Sequence, residues 1–374
     1  MFCYNSKKRI QIKAFINNYD SLSCAGDTNS LMDAIYTKKT GITIDTSYMK
    51  ETPVGLGKMQ EEDFFAILKQ TVLNVLTSSK LDDFHQTLLI VGSSVGGMKE
   101  SEEHYFKDKN YTNIDPSRHT ISVISEELDK AFSFAGTRAI STACTSSANA
   151  LLLAKRLINV GAYKNILVVG ADSLCYTTVC GFHALSVLSS KVCTPFEEGR
   201  EGMNVAEAVA AILVQDIITQ ESVELCGVGA SSDAFHMTNP DPEAKGAMQS
   251  MQNALDDAGL DAGEISYVNA HGTGTEANDK VEGLAVETLL GNVAVSSTKS
   301  ITGHTLGAAG ALEAIISCEA IKKAQLPPQT KLTNAQNSVL NIPREAKQQE
   351  LRYVMSNSFA FGGNNTSLIF GVCK

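Results

Sequence analysis

Short apolar runs, rich in β-branched residues and ending in glycine or a small polar residue, recur along the chain. They are TLLIVGSSVGG (87–97), NILVVGADS (165–173), AVAAILVQD (208–216), ISYVNAHGTGT (265–275), VAVSSTKS (293–300) and TSLIFGV (366–372). Their hydrophobicity is continuous rather than alternating, which fits strands covered on both faces, as in a parallel or mixed sheet between helices. Helical patterns fall between them, at 60–80, 146–160, 244–259, 278–290 and 308–324. Strands alternating with helices predict a layered α/β fold. No Pro/Gly/Ser-rich linker divides the 374 residues, so any halves should pack on each other.

An internal symmetry refines this. Residues 139–160, AISTACTSSANALLLAKRLINV, read as a strand end, a turn of small residues and a helix. Residues 294–323, AVSSTKSITGHTLGAAGALEAIISCEAIKK, have the same grammar with a longer turn. Ser141-Thr142 and Ser297-Thr298 occupy equivalent places. Two such units predict a duplicated architecture, one half over 1–217 and the other over 218–374. Chemistry is then expected where the two sets of strand ends meet.

Composition narrows the partners. The formal net charge is −10, with acidic residues spread along the chain, so phosphate backbones offer no attraction and nucleic acid is not expected as a partner. No apolar stretch approaches the about 20 residues that a membrane span needs. The opening MFCYNSKKRI has a basic cluster without an apolar core behind it, unlike a signal peptide. A cytoplasmic protein is expected, and the nine cysteines, an odd number without paired spacing, then read as reduced thiols.

One of these, Cys144, sits in STACTSSANA immediately before an amphipathic helix. A thiol at a strand-to-helix turn is expected to be exposed and to face the positive end of the helix dipole. A dipole worth about 1 kcal/mol lowers a thiol pKa by only about 0.7 unit, so ionisation at neutral pH needs further help, most naturally from imidazoles. The other reading is a small buried core cysteine.

His271 lies in NAHGTGTEANDKVE past an apolar strand. Gly272 and Gly274 there bring the backbone close to a ligand, and Thr273 and Thr275 offer hydroxyls to an amide. Asp279 and Glu282 follow on one helical face. A metal site of His271, Asp279 and Glu282 is an alternative, but its spacing matches no metal motif with a physical basis. His304 lies in STKSITGHTLGAAGALEA, with Lys299 five residues before it and Glu313 nine after; taken alone, a histidine beside a small-residue helix is more often structural. In SNSFAFGGNN (356–365), Gly362 and Gly363 leave room for a backbone N–H to point at a ligand, as an oxyanion hole requires. Together the four loops supply Cys, His, His and Lys, a set suited to acyl transfer.

In this order the motifs resemble those of the elongating β-ketoacyl-acyl-carrier-protein synthases of the thiolase superfamily. TACTSS is similar to that family's nucleophile motif, NAHGTGT to its first histidine motif and KSITGHTLGAAGALE to its lysine and second histidine motif. SNSFAFGGNN resembles its C-terminal gating loop, SSDAFHMTNP (231–240) its substrate-lining segment, and GSSVGGM (92–98) and PFEEGREGMNVAEA (195–208) further family segments. The resemblance runs over nearly the whole chain. It implies a thiolase-like duplicated layered α-β-α-β-α fold and decarboxylative condensation of malonyl-carrier protein with an acyl group held on Cys144.

Carried over by position, the backbone N–H groups of Cys144 and Phe361 would form the oxyanion hole. His271 and His304 would assist decarboxylation, and Lys299 and Glu313 would organise the charges. Asp279 and Glu282 would support the His271 loop, and Phe359 and Phe361 would gate the pocket. Thr273 and Thr275 would bond the phosphopantetheine arm, Thr238 would line the substrate path and Val95 would limit acyl depth. The resemblance implies no resident cofactor and no metal, since phosphopantetheine arrives on the acyl carrier protein. It also implies a dimer, either a homodimer or a heterodimer with an inactive paralogue.

His304 gives Cys-His-His, unlike the Cys-His-Asn of initiating synthases, and Cys373 lies outside the glycine loop where a thiolase would place its second cysteine. The alternative is a non-catalytic chain-length-factor-like subunit, a type that lacks the nucleophile present here. Some positions depart from the family pattern. The stretch between Val95 and Cys144 is short, Ala360 replaces a glycine, and Met203, Ala206 and Ala208 replace an aromatic residue and two glycines. They bear on acyl length and fit polyene or polyketide assembly as well as fatty-acid synthesis.

Overall fold

The structure is a computed structural model and describes residues 12–49, 52–60, 63–79, 81, 83–330, 332–335 and 339–373. The basic opening segment 1–10 lies outside the described residues. Five strands come from the first half of the chain: β1 (Phe15–Ser23), β2 (Thr87–Gly92), β3 (Gly136–Ile140), β4 (Asn165–Asp172) and β5 (Ala208–Gln215). They lie side by side in the order β1-β5-β4-β2-β3. Five more, β6 (Val223–Ser232), β7 (Tyr267–Asn269), β8 (Ala294–Ser296), β9 (Tyr353–Phe359) and β10 (Asn364–Val372), lie in the order β6-β10-β9-β7-β8. In each set the first two neighbouring pairs are antiparallel and the last two parallel, so one topology occurs twice. A short pairing of Phe15 and Ile16 with Glu224 and Val223 joins the sets at their edges.

Continuous hydrophobicity is explained by the layers. All eight residues of β5 are buried, and of β4 all but Asn165. Helices Phe64–Ser78 and Ser122–Phe132 cover one face through Ile67, Leu68, Val72, Ile124 and Leu128, packed with Leu89, Val169 and Val209. Helices Lys245–Ala258 and Glu276–Leu290 cover the corresponding face of the second set. Between the sets lie α1 (Ser146–Asn159) and α2 (Ala309–Lys323), each touching strands of both. The layered α-β-α-β-α arrangement expected from the sequence is therefore present. A helix in a central layer has no solvent side, and α2 accordingly is buried from Ala309 through Cys318. The two helices cross closely: a Cβ on Gly310 would stand 2.6 Å from the Ala148 nitrogen, and Ala311 N–H donates to Ser147 Oγ at 2.9 Å.

Differences from the sequence reading have local causes. Strand β1, FINNYDSLS, carries polar residues, and buried Asn17 is satisfied by Gln215 Oε1 at 2.8 Å. In β6 the glycines sit where helix Lys245–Ala258 presses on the sheet, a Cβ at Gly229 meeting Ser250 O at 2.1 Å. The runs 265–275 and 293–300 are strands only over Tyr267–Asn269 and Ala294–Ser296; the rest turns away to build the site.

Candidate active site

Each half ends a parallel strand in a turn and then a central helix, and the two turns face each other. After β3 the chain passes Ala143, whose φ of 54° is left-handed, before Cys144 and α1. After β8 it passes a short helix, Lys299–Thr302, before His304 and α2. His304 is gripped through its backbone, its N–H donating to Asn204 O at 2.7 Å and its carbonyl accepting from Ala206 at 3.0 Å. These contacts set His304 Nε2 3.0 Å from Cys144 Sγ. The His271 ring stands perpendicular to that of His304, centroids 5.1 Å apart.

Cys144, His271 and His304 line one cleft with Thr238, Thr273, Thr275, Phe359 and Phe361. Cys144 is not exposed as its place on a turn predicted: it is 8% accessible, because the 359–363 loop overhangs it. Burial pushes its thiol up to about 11, while the Lys299 cation and the N–H groups of Phe361 and Cys144 itself pull it down. Phe361, whose N–H favours the charged sulfur, lines the same cleft as Cys144. Burial, with the nearby Lys299 cation, also holds both histidines well below their usual range, so they are neutral at physiological pH.

Neutral imidazoles have one N–H each, and the neighbours decide where it lies. Lys299 Nζ has donors only and sits 3.5 Å from His271 Nδ1, which leaves the proton on Nε2. His304 Nδ1 is buried without a partner, so a proton on Nε2 is the arrangement that uses it, in a bond to sulfur.

The charged residues form a layer behind the cleft. Lys299 ion-pairs with Glu313 in full burial. Glu282 accepts from His271 N–H at 2.8 Å and Gly272 N–H at 2.7 Å; burial pushes its carboxyl up to about 7. Asp279 accepts from Phe196 and Gly274 N–H and pairs with buried Arg200 at 3.2 Å. Both carboxylates thus serve the loop backbone, and neither joins the His271 ring in a metal set. Among the described residues no group of three His, Cys, Asp or Glu side chains is arranged to hold a metal ion, and no helix is long and apolar enough to cross a membrane. Thr273 and Thr275 face each other with hydroxyls 2.9 Å apart at the mouth. Val95 does not line the cleft; it lies in an apolar cluster with Leu56, Val179 and Leu306, and Met203 joins that cluster to the cleft wall.

Sequence reasoning missed Asp172. This buried carboxylate accepts from Ser93 Oγ, from the N–H groups of Ser94 and Val95, and from Gly307 N–H at 2.6 Å, pinning the 93–95 loop to the start of α2. Its only sequence signal is an acid closing an otherwise apolar strand. Arg200 was missed as well, because its partner Asp279 is distant in sequence.

The Lys299–Glu313 pair gives a pH-dependent prediction. Burial raises the Glu313 carboxyl above its ordinary 4.5 and Lys299 lowers it. In Lys299→Met only the upward push remains. The folded state then keeps a proton that the unfolded chain releases, so stability present below that value is lost as pH rises through and above it. Thermal melts should show a small loss near about pH 5 and a loss of about 1–3 kcal/mol near about pH 8. Equal losses at both would contradict it.

Comparisons with known proteins bear on this geometry. Residues 26–217 match the family model "Beta-ketoacyl synthase, N-terminal domain" and residues 223–333 match "Beta-ketoacyl synthase, C-terminal domain". The chain is 35% identical over 305 residues to a 3-oxoacyl-[acyl-carrier-protein] synthase 2 of Coxiella burnetii, covering 75% of this chain and 73% of that one. It is 34% identical over 314 residues to the like-named protein of Rhizobium meliloti, covering 77% and 74%. Among solved structures it is similar to a ketosynthase in complex with its chain length factor from Xenorhabdus doucetiae, with TM-score 0.89 and 30% identity over 100% of both chains. A β-ketoacyl synthase from Burkholderia phymatum gives TM-score 0.89 at 26% identity, covering 97% of this chain and 100% of that one.

Proposed function

Because the chain belongs to the β-ketoacyl synthase family, a family of acyltransferase-type condensing enzymes, we propose that Cys144 carries the acyl group and that His271 and His304 drive decarboxylation of malonyl-acyl carrier protein. The observation that carries this is the approach of His304 Nε2 to the Cys144 sulfur at 3.0 Å, in a cleft that His271 and Phe361 also line.

In the first half-reaction the Cys144 sulfur attacks the acyl thioester carbonyl. Negative charge on that oxygen is held by the N–H groups of Cys144 and Phe361. The carbon–sulfur bond to the carrier then breaks, and the proton from Cys144 ends on the carrier's sulfur. In the second, the carbon–carbon bond of the malonyl thioester breaks, CO₂ leaves, and the electron pair forms an enolate whose oxygen accepts from the Nε2–H groups of His271 and His304. The enolate carbon attacks the acyl carbonyl, the carbon–sulfur bond to Cys144 breaks, and the sulfur leaves as a thiolate that takes a proton from solvent. Neutral histidines suit this: they donate without a charge that would itself need solvation. Lys299, Glu313, Glu282 and Asp279 act behind them, fixing the His271 tautomer and loop.

No resident cofactor is invoked. The phosphopantetheine arm enters on the carrier protein past Thr273, Thr275 and Thr238, and a cytoplasmic setting fits that carrier. We place the division between the two halves at 217/218, which the repeated strand order supports. Pairing with a chain length factor is supported by the Xenorhabdus ketosynthase, seen in such a complex. The outer edge of β3, where Arg138 and Ala139 are exposed, is the surface proposed for the partner. Incubating the chain with acyl- and malonyl-carrier proteins tests the whole reading. A product longer by one acetate unit supports it, and turnover that needs an added paralogue assigns the heterodimer. No CO₂ release in either case contradicts it.

Met203 is expected to set acyl depth, since it separates the cleft from the apolar cluster around Val95. Met203→Ala should move the preferred acyl chain longer by roughly two or three carbons, the length of side chain removed. Loading from a panel of acyl carriers, read by intact mass, checks this; an unchanged preference places the limit elsewhere.

A further inference from the structure

We propose that Asn149 is a positioning residue, whose single amide ties the Cys144 turn to the hairpin that presents the Phe361 N–H. The inference rests on Cys144 being the acylated residue and adds what holds it in register.

The Cys144 turn needs holding. Ala143 is a non-glycine residue in left-handed backbone, a conformation that persists only where surroundings over-determine it. Contacts within the first half supply part of this. Ser94 Oγ donates to Ala143 O at 2.9 Å, Ser146 Oγ donates to the same carbonyl at 2.6 Å, and Thr145 Oγ1 donates to Thr142 O at 2.7 Å. They fix the shape of the turn. They do not fix where the turn stands relative to the second half, from which Phe361 comes.

Asn149 bridges that gap. One turn into α1, its Nδ2 donates to Thr142 Oγ1 at 2.9 Å and Thr145 Oγ1 at 3.3 Å, on the two sides of Cys144. Its Oδ1 accepts from Thr366 Oγ1 at 2.9 Å across 217 residues of sequence. Thr366 is fully buried and pairs with Ser358 in the β9–β10 ladder, one step below the Phe359–Asn365 pair that opens the loop carrying Phe361. The loop is anchored on its far side by Gly362 N–H donating to Met237 O at 2.8 Å. With that tip fixed, the position of the hairpin base against the Cys144 turn decides whether the Phe361 N–H meets the sulfur. A half-buried amide with both ends engaged is a short, rigid spacer for that task.

Replacing Thr366 by Val removes the bond and keeps the shape. It should slow acylation of Cys144 by about ten-fold, since displacements well under 1 Å at a reacting pair are costly. It should also move the pH profile of Cys144 alkylation by iodoacetamide upward, because an N–H donor to the thiolate is weakened. Asn149→Leu should do the same, and the double variant should be no worse than the worse single one, because both break one link. Thr366→Ser, which keeps the hydroxyl, should restore rate and profile. Alkylation reads the thiol without any carrier protein, so a failure of this link is distinguished from a failure of the acyl-transfer reading. Additive losses, an unmoved alkylation profile, or a serine variant as slow as valine would each overturn the proposal.

Discussion

Alanine at His271 should slow CO₂ release from malonyl-carrier protein by about 10²–10³-fold, or about 3–4 kcal/mol, while leaving acyl loading of Cys144 nearly intact. The asymmetry follows from position. His271 stands beside His304 with its ring perpendicular and its Nδ1 against Lys299, and among the described residues no hydrogen bond joins it to the sulfur. His304 has one, at 3.0 Å. His304→Ala should therefore lose decarboxylation to a similar degree and some loading besides, though less, since a thiol is already a competent nucleophile. Loading is read by intact mass and decarboxylation by CO₂ release, on each variant separately. Equal losses in both half-reactions would reduce the site to a single Cys–His pair. Because both imidazoles are held well below their usual range, neither variant should alter the pH dependence near neutrality.

Cys144→Ala should abolish condensation and leave the fold standing. The substitution removes one sulfur atom at the base of a cleft, where nothing of the core packing depends on it. Decarboxylation should survive in measurable amount, since the donors for the enolate are imidazoles and the thiol takes no part in that step. The pairing of lost condensation with retained CO₂ release separates loss of the nucleophile from collapse of the site.

The sequence made the layered fold legible because strands buried on both faces must be continuously apolar, as β4 and β5 are. It hid β1 and β6, whose polar and glycine residues are explained only by partners elsewhere, Gln215 for Asn17 and the helix Lys245–Ala258 for Gly229. The chemistry was legible for a related reason. Cys144, His271, Lys299 and His304 each follow a strand end in a small-residue turn, and duplication brings those turns together. Asp172 was hidden because one acid at the end of an apolar run carries no signature. The burial of Cys144 was hidden because its cover comes from residues 359–363, more than half the chain away. Val95, assigned to the acyl path by resemblance, lies in the apolar cluster beside the cleft, and Met203 belongs to both, a matter of packing that linear order does not carry.

The most direct test is the intact mass of the protein after incubation with an acyl carrier protein bearing a labelled acyl chain, followed by peptide mapping and then by addition of malonyl-carrier protein. The account predicts one acyl group, on the peptide containing Cys144, discharged on addition of malonyl-carrier protein as CO₂ is released. An acyl group on any other residue, an equal mass gain in Cys144→Ala, or an acyl-enzyme that malonyl-carrier protein does not discharge would contradict it.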